Sequence, residues 1–256
     1  MNLIKRNSPN HFNGRNGWKA DMIVFHQTGT ATAADALSWY LRQGSNCSPH
    51  FVIDVNGDVY QLVDLDNGAW CNGTGVNPSQ KLYYGKATSR LVRERKTNAN
   101  YYTYSMEFVH CQYGNINEAQ IAAAVELIKT VIIPHMQKNS VTPQINRDYF
   151  IGHCEIDPVT RAFCPGKQFP YARIIDGVLG KTTVIAKPPV QANTPKFKVG
   201  DKVRVKNGAK TYTGTSLAAF VYGQVYDVME IKGDRVVIGQ KRKVTAAVRS
   251  GDLVKV

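Results

Sequence analysis

Apolar and polar positions alternate along this chain with two periods. Met22–Phe25 is a short continuous apolar run, the pattern of a buried strand, and it ends in His26, Gln27, Thr28 and Gly29. Ala33–Arg42 carries Ala36, Leu37 and Tyr40 at helical spacing. Phe51–Val55 and Asp58–Val63 flank Asn56 and Gly57. That arrangement predicts a hairpin with a type I′ turn. Tyr102–Val109 reads as a further strand, with Tyr102, Tyr104 and Met106 on one face and Thr103, Ser105 and Glu107 on the other. From Asn117 to about Gln137, Ile121, Val125, Ile128 and Ile132 share one face of a long helix, whose last turn Pro134 is expected to perturb. Pro170–Leu179 predicts a closing helix. The order β-α-β-β-β-α predicts an α/β fold, a mixed sheet with helices packed on it.

The pattern changes after Ala186–Pro195, where three prolines among small polar residues predict an extended linker. Beyond it, Lys198–Lys206 alternates apolar and basic residues with period two. Val221–Met229, Arg235–Ile238 and Asp252–Val256 read as further short strands between Gly or Asp turns. Strands this short and this closely spaced predict a small all-β barrel. The expected organisation is a body over 1–180, a linker over 181–195 and the barrel over 196–256.

Composition adds bounds. With 256 residues, 43% hydrophobic and 20% charged, the chain can bury a sizeable core. No apolar run approaches the roughly 18 residues of a membrane span, so the sequence predicts no membrane span. Met1–Pro9 is basic, but no apolar stretch follows, so the sequence predicts synthesis in the cytoplasm without a secretory signal. Five cysteines, none in a Cys-x-x-Cys pair, argue against a disulfide framework, a zinc ribbon or a thioredoxin-like site. Charge is uneven. Residues 1–180 hold 17 Lys+Arg and 14 Asp+Glu, and residues 181–256 hold 15 and 5, so the tail carries +10 of the net +13. Such a tail is drawn to polyanions: nucleic acid, an acidic membrane or an anionic wall polymer.

Candidate chemistry lies in the body. His26 ends a buried strand. His153 and Cys164 are 11 positions apart, in a segment containing Pro158, Pro165 and Gly166 that can bend both toward one ion. Taken singly, each has a bland explanation, a core histidine or an inert buried thiol. Together they offer two imidazoles and a thiolate. A structural zinc site closes with four ligands, whereas a hydrolytic one keeps a position for water.

The body resembles the zinc-dependent N-acetylmuramoyl-L-alanine amidases of the amidase type 2 and peptidoglycan-recognition-protein family. Val24–Gly29 resembles the first-ligand motif, and Ser48–Val63 the family hairpin. Ala69–Gly73 resembles the substrate-side loop, Ser105–Val109 the strand bearing the catalytic glutamate, and Gly152–Gly166 with Phe169 and Pro170 the segment of the second and third ligands. The resemblance covers about residues 15–180. It implies a Zn2+ held by His26, His153 and Cys164, with Glu107 as acid and base for a cut between the muramic acid lactyl group and L-alanine. Trp70 and His50 fall where the substrate side is expected.

There are departures. The family's usual Lys two positions before the third ligand is Ala162 here, which makes neighbouring Arg161 the candidate oxyanion donor, although Arg and Lys are not interchangeable. Cys71 stands where a histidine is common, and Pro49 where some relatives have tyrosine. The tail resembles bacterial SH3-like wall-binding modules through Phe197–Val205, Ala209–Gly214 and Ser250–Val256. The combination resembles a phage endolysin acting on peptidoglycan and anionic wall polymers after holin-type release. Nucleic acid is the weaker partner class. Two rival readings are a non-catalytic peptidoglycan binder and a thiol peptidase pairing Cys47 or Cys111 with His50 or His110.

Overall fold

The computed structural model describes residues 1–73, 83–111, 114–181, 197–232, 234–241 and 243–256. The chain divides into two compact units, Met1–Pro189 and Val190–Val256. The linker expected over 181–195 lies, apart from Lys181, outside the described residues.

In the first unit the strands are β1 (Asn2–Lys5), β2 (His11–Phe12), β3 (Met22–Gln27), β4 (Phe51–Ile53), β5 (Asp58–Gln61), β6 (Gly68–Ala69), β7 (Thr103–Phe108) and β8 (Phe150–Gly152). The helices are α1 (Ala33–Tyr40), α2 (Tyr83–Lys86), α3 (Arg90–Arg95), α4 (Glu118–Leu127), α5 (Ile133–Lys138), α6 (His153–Ile156) and α7 (Tyr171–Val178). Six strands form a mixed sheet in the order β1-β5-β4-β7-β3-β8. The β4–β5 pair is antiparallel, and the other pairs are parallel. The predicted α/β sheet is therefore the observed one.

Alternation along the central strands assigns the two faces. Ile23, Phe25, Tyr104, Met106, Phe108, Phe51 and Ile53 pack into the core shared with α4, α5 and α7. Met22 and Val24 point the other way and pack with Val92 of α3 and Ile156 of α6. Val52 also lies on that second face, against Ala33, Ala36 and Tyr40 of α1. His26 and Glu107 belong to the same face by the strand period. The helices of this face thus flank the polar ends of β3 and β7.

Two elements depart from expectation. The hairpin forms, with Phe51 opposite Gln61 and Ile53 opposite Val59, but its turn is not type I′. Gly57 alone has positive φ (+87°), where type I′ requires it at Asn56 as well. A backbone bond from Gly57 N–H to Asp54 O (2.9 Å) closes the turn, and a Cβ at Gly57 would sit 3.1 Å from Ala119 O. The long helix starts at Asn117, whose side chain accepts from Gln120 N–H while Gln120 Oε1 accepts from Asn117 N–H. It passes through a π-turn at Ile128–Ile132 before Pro134 and continues to Lys138. The wider turn accommodates a residue that has no N–H to donate. Against the expectation that no apolar run is long enough, Glu118–Lys138 is long and apolar enough, by length and composition, to cross a membrane. Half of its most apolar window is buried in this core, where the helix lies against α7 and the sheet.

The second unit is a five-stranded antiparallel sheet, ordered β12-β11-β10-β9-β13. Its strands are β9 (Lys202–Val205), β10 (Val225–Lys232), β11 (Arg235–Gln240), β12 (Lys243–Arg249) and β13 (Leu253–Lys255). Phe197, Val203, Val205, Tyr226, Val228, Ile238, Val248 and Leu253 form its core.

Candidate active site

The parallel register of β3 and β7 sets His26 directly beside Glu107. β8 flanks β3 on the other side and delivers His153 one residue beyond its end. Gly152, the last residue of β8, has no room for a side chain. A Cβ there would run into the Tyr171 hydroxyl and approach Pro165 Cδ to 2.8 Å. The segment after α6 is folded back by bonds from Arg161 N–H to Asp157 O (3.1 Å), Cys164 N–H to Arg161 O (2.9 Å) and Cys154 N–H to Cys164 O (2.8 Å). Asp157 Oδ1 also accepts from Val159 N–H and Thr160 N–H. Glu155 caps α6 by accepting from Gly152 N–H at 2.8 Å. Gln27 Nε2 donates to Phe163 O at 2.9 Å, tying the segment to β3.

The result is convergence. Donor atoms of His26, His153 and Cys164 all lie within 4.8 Å of one another. The His26 and His153 rings sit edge to face with centroids 4.4 Å apart, and Cys164 Sγ is 3.8 Å from His26 Nδ1. His26 Nε2–H donates to Asn72 Oδ1 at 2.6 Å, and Asn72 Nδ2 donates onward to Thr103 Oγ1 at 2.8 Å. This chain fixes the tautomer and leaves the Nδ1 lone pair aimed into the cluster. Burial, then the charge of His153, holds His26 well below the ordinary imidazole range. Burial, then Arg161, lowers His153 to about 3. Both rings are therefore neutral donors. Burial raises the Cys164 thiol, and only a bound cation would draw its proton off.

Glu107 is 5% exposed, with Oε1 3.9 Å from His26 Nδ1 and accepting from the Cys71 thiol at 3.6 Å. Its other oxygen is buried with no hydrogen-bond partner among the described residues. Burial raises its carboxyl to about 7, opposed by Tyr40, Cys71 and Arg161. A buried carboxylate with a free oxygen, beside two neutral imidazoles and a thiol, is a donor set that suits a zinc ion.

A recess of about 410 Å³ exposes His26, Glu107, His153, Cys164 and Arg161 together. A second recess of about 710 Å³ shares His153, Cys71 and Arg161 with it and is walled by Trp39, Trp70 and Phe12. Trp70 and Arg161 thus line the cleft, as does the Ala162 that replaces the usual lysine. His50 does not. It is 1% exposed, and its Nε2 meets Arg15 at 3.0 Å while its Nδ1 meets Ser105 Oγ at 3.0 Å. This corrects the expectation of a substrate-binding His50: it braces β4 against β7 from within.

Asn72, Tyr40 and Asn100 are not among the site residues expected from the sequence. Asn100 Oδ1 accepts from the backbone N–H of Cys71 (3.2 Å) and Asn72 (2.5 Å), pinning that loop over His26. Asn72 lies within the Trp70–Gly73 loop, the one sequence signal that could have found it. The thiols of the rival reading are pushed away from activation. Burial raises Cys47 to about 11 and Cys111 to about 12, whereas a nucleophilic cysteine needs the opposite shift.

Residues 16–167 match the family model described as Amidase_2, N-acetylmuramoyl-L-alanine amidase. The chain belongs to that family. Among solved structures, a selenomethionine derivative of AmpD superposes with a TM-score of 0.50 at 16% identity, covering 70% of this chain and 95% of that one. The PlyG catalytic domain gives 0.48 at 17%, covering 73% and 99%. A mutant endolysin from Bacillus subtilis gives 0.43 at 19%, covering 70% and 99%. No curated protein matches the chain.

Proposed function

We propose that this chain is a zinc-dependent peptidoglycan hydrolase that cleaves the amide between N-acetylmuramic acid and L-alanine. The observation that carries the reading is the convergence of His26, His153 and Cys164 within 4.8 Å, beside a buried Glu107, in a chain of the amidase family. These three side chains would hold the ion. When bound, zinc would supply a Lewis acid for the amide carbonyl and water of lowered pKa at neutral pH. Glu107 stands where a base can take the proton of the attacking water and return it to the leaving L-alanine amine. Asn72 orients His26 and holds its tautomer. Arg161, at the rim of both recesses, offers its guanidinium to the oxyanion that develops on the lactyl oxygen. Trp39 and Trp70 give the cleft apolar walls against which glycan or stem peptide packs.

The second unit fits an SH3-like wall-binding module. Its short antiparallel strands and the +10 charge carried by residues 181–256 support binding to anionic wall polymers. Joining it to a hydrolase raises the local concentration of substrate. An amidase unit followed by such a module fits an endolysin that reaches the wall after release from the host cytoplasm.

Chelation tests the metal claim. An excess of a strong chelator is expected to abolish release of L-alanine amino termini from purified walls, and stoichiometric zinc to restore it. Undiminished turnover in chelator contradicts the reading.

A further inference from the structure

The donors around His26 fall into two sets that share it. On one side stand His153 and Cys164, and on the other Cys71 and Glu107. Each set, with His26, brings one donor atom per residue within 4.8 Å. The atom at the centre is Nδ1 of His26. It lies 3.8 Å from Cys164 Sγ, 3.9 Å from Cys71 Sγ and 3.9 Å from Glu107 Oε1. In a tetrahedral zinc site, bond lengths of about 2.05 Å to nitrogen and about 2.3 Å to sulfur separate those ligand atoms by about 3.6 Å. Cys71 Sγ is also 3.7 Å from Nε2 of the same ring, so it lies beside the imidazole between its two nitrogens, and a cation on Nδ1 would have to draw it across, whereas Cys164 stands on the Nδ1 side. Cys71 Sγ is also 3.6 Å from Glu107 Oε1, and the other Glu107 oxygen is buried and unpartnered among the described residues.

We infer that His26, Cys71 and Glu107 form a second position for a thiophilic divalent cation, overlapping the catalytic position and excluding it. The inference rests on the proposed role of His26 as a metal ligand. Exclusion follows from the imidazole. Its Nδ1 lone pair serves one cation at a time, because Nε2–H is committed to Asn72 at 2.6 Å. Binding at the second position releases the Cys71 proton to solvent and leaves a dication facing one thiolate and one carboxylate, so local charge balances. A soft thiolate with imidazole and carboxylate suits zinc, cobalt or cadmium rather than magnesium or calcium.

The consequence is functional. An ion at this position ties up the carboxylate that serves as base, so the loaded protein does not turn over. Cys164 would then be required for activity but not for retaining a cation.

Cobalt(II) added to metal-free full-length protein tests this, because a thiolate ligand gives a near-ultraviolet charge-transfer band. The wild type is expected to show the band. Cys164→Ser is expected to keep a band at a single equivalent of cobalt while losing turnover, and Cys164→Ser/Cys71→Ser to lose the band. Cys164→Ala serves as a second background if the serine variant does not fold, and thermal melts report folding in each. A folded Cys164 variant without the band, in the face of a wild-type band, overturns the second position and leaves the catalytic reading standing. Absence of the band in the wild type overturns both, since neither thiol would then hold metal.

Discussion

His26 uses its two ring nitrogens for different ends: Nε2–H holds Asn72, and Nδ1 faces the donor cluster. Its strand run and polar turn made it visible in the chain, as the Gly152–Gly166 segment made His153 and Cys164 visible. Local pattern did not show what orients it. Asn72 and Asn100 belong to other segments, and only the folded loop brings them over the imidazole. His50 shows the converse failure. A histidine at a strand start looks available, yet the Arg15 guanidinium reaches it from 35 positions away and fixes it inside the sheet. The Asn72 contact carries a prediction. Asn72→Ala removes the acceptor that sets the tautomer, and zinc affinity is expected to fall about 10–100-fold. Competition with a chromophoric chelator measures it; unchanged affinity would mean that the ring is oriented by packing alone.

At the level of elements, periodicity located what is long or strongly patterned: β3, β7, the hairpin, α1, the helix from Asn117 and α7. It missed β1 and β8, of four and three residues. Each is too short to show a period and exists because a neighbouring strand pairs with it. It missed β12 because Lys243, Val244 and Thr245 are all exposed, and the buried face of the strand begins only at Ala246 and Val248. The hairpin turn was misjudged because Asn-Gly supports more than one loop, and packing of Gly57 against Ala119 belongs to the tertiary fold. β8 and α6 show how element geometry sets chemistry, since Gly152 lets His153 follow the strand so closely. Gly152→Ala is expected to destabilise the first unit by about 1–3 kcal/mol through overpacking, and to weaken zinc binding by displacing His153 relative to Cys164. Chemical denaturation and zinc titration read the two effects; a variant with wild-type values for both would remove the steric argument.

Across the whole molecule, five segments in family order pointed to the amidase, although each alone is a weak signal. The family model covers the residues that carry those segments, apart from Phe169 and Pro170. The tail was legible as short strands and charge, but its ligand is not written in strand pattern. Charge still makes a claim about behaviour. If the +10 over residues 181–256 grips anionic polymer, wall retention is expected to weaken steeply between about 0.1 M and 1 M salt, where the screening length falls from about 10 Å to about 3 Å. A wall pull-down across that range, with DNA as competitor, measures it, and salt-independent retention would point to an uncharged ligand. The activity itself is tested most directly by mass spectrometry of walls digested with the zinc-loaded protein. The account predicts new L-alanine amino termini with the glycan chains intact, and no new L-alanine termini from Glu107→Gln. New reducing sugar ends, or cleavage within the stem peptide, would contradict it.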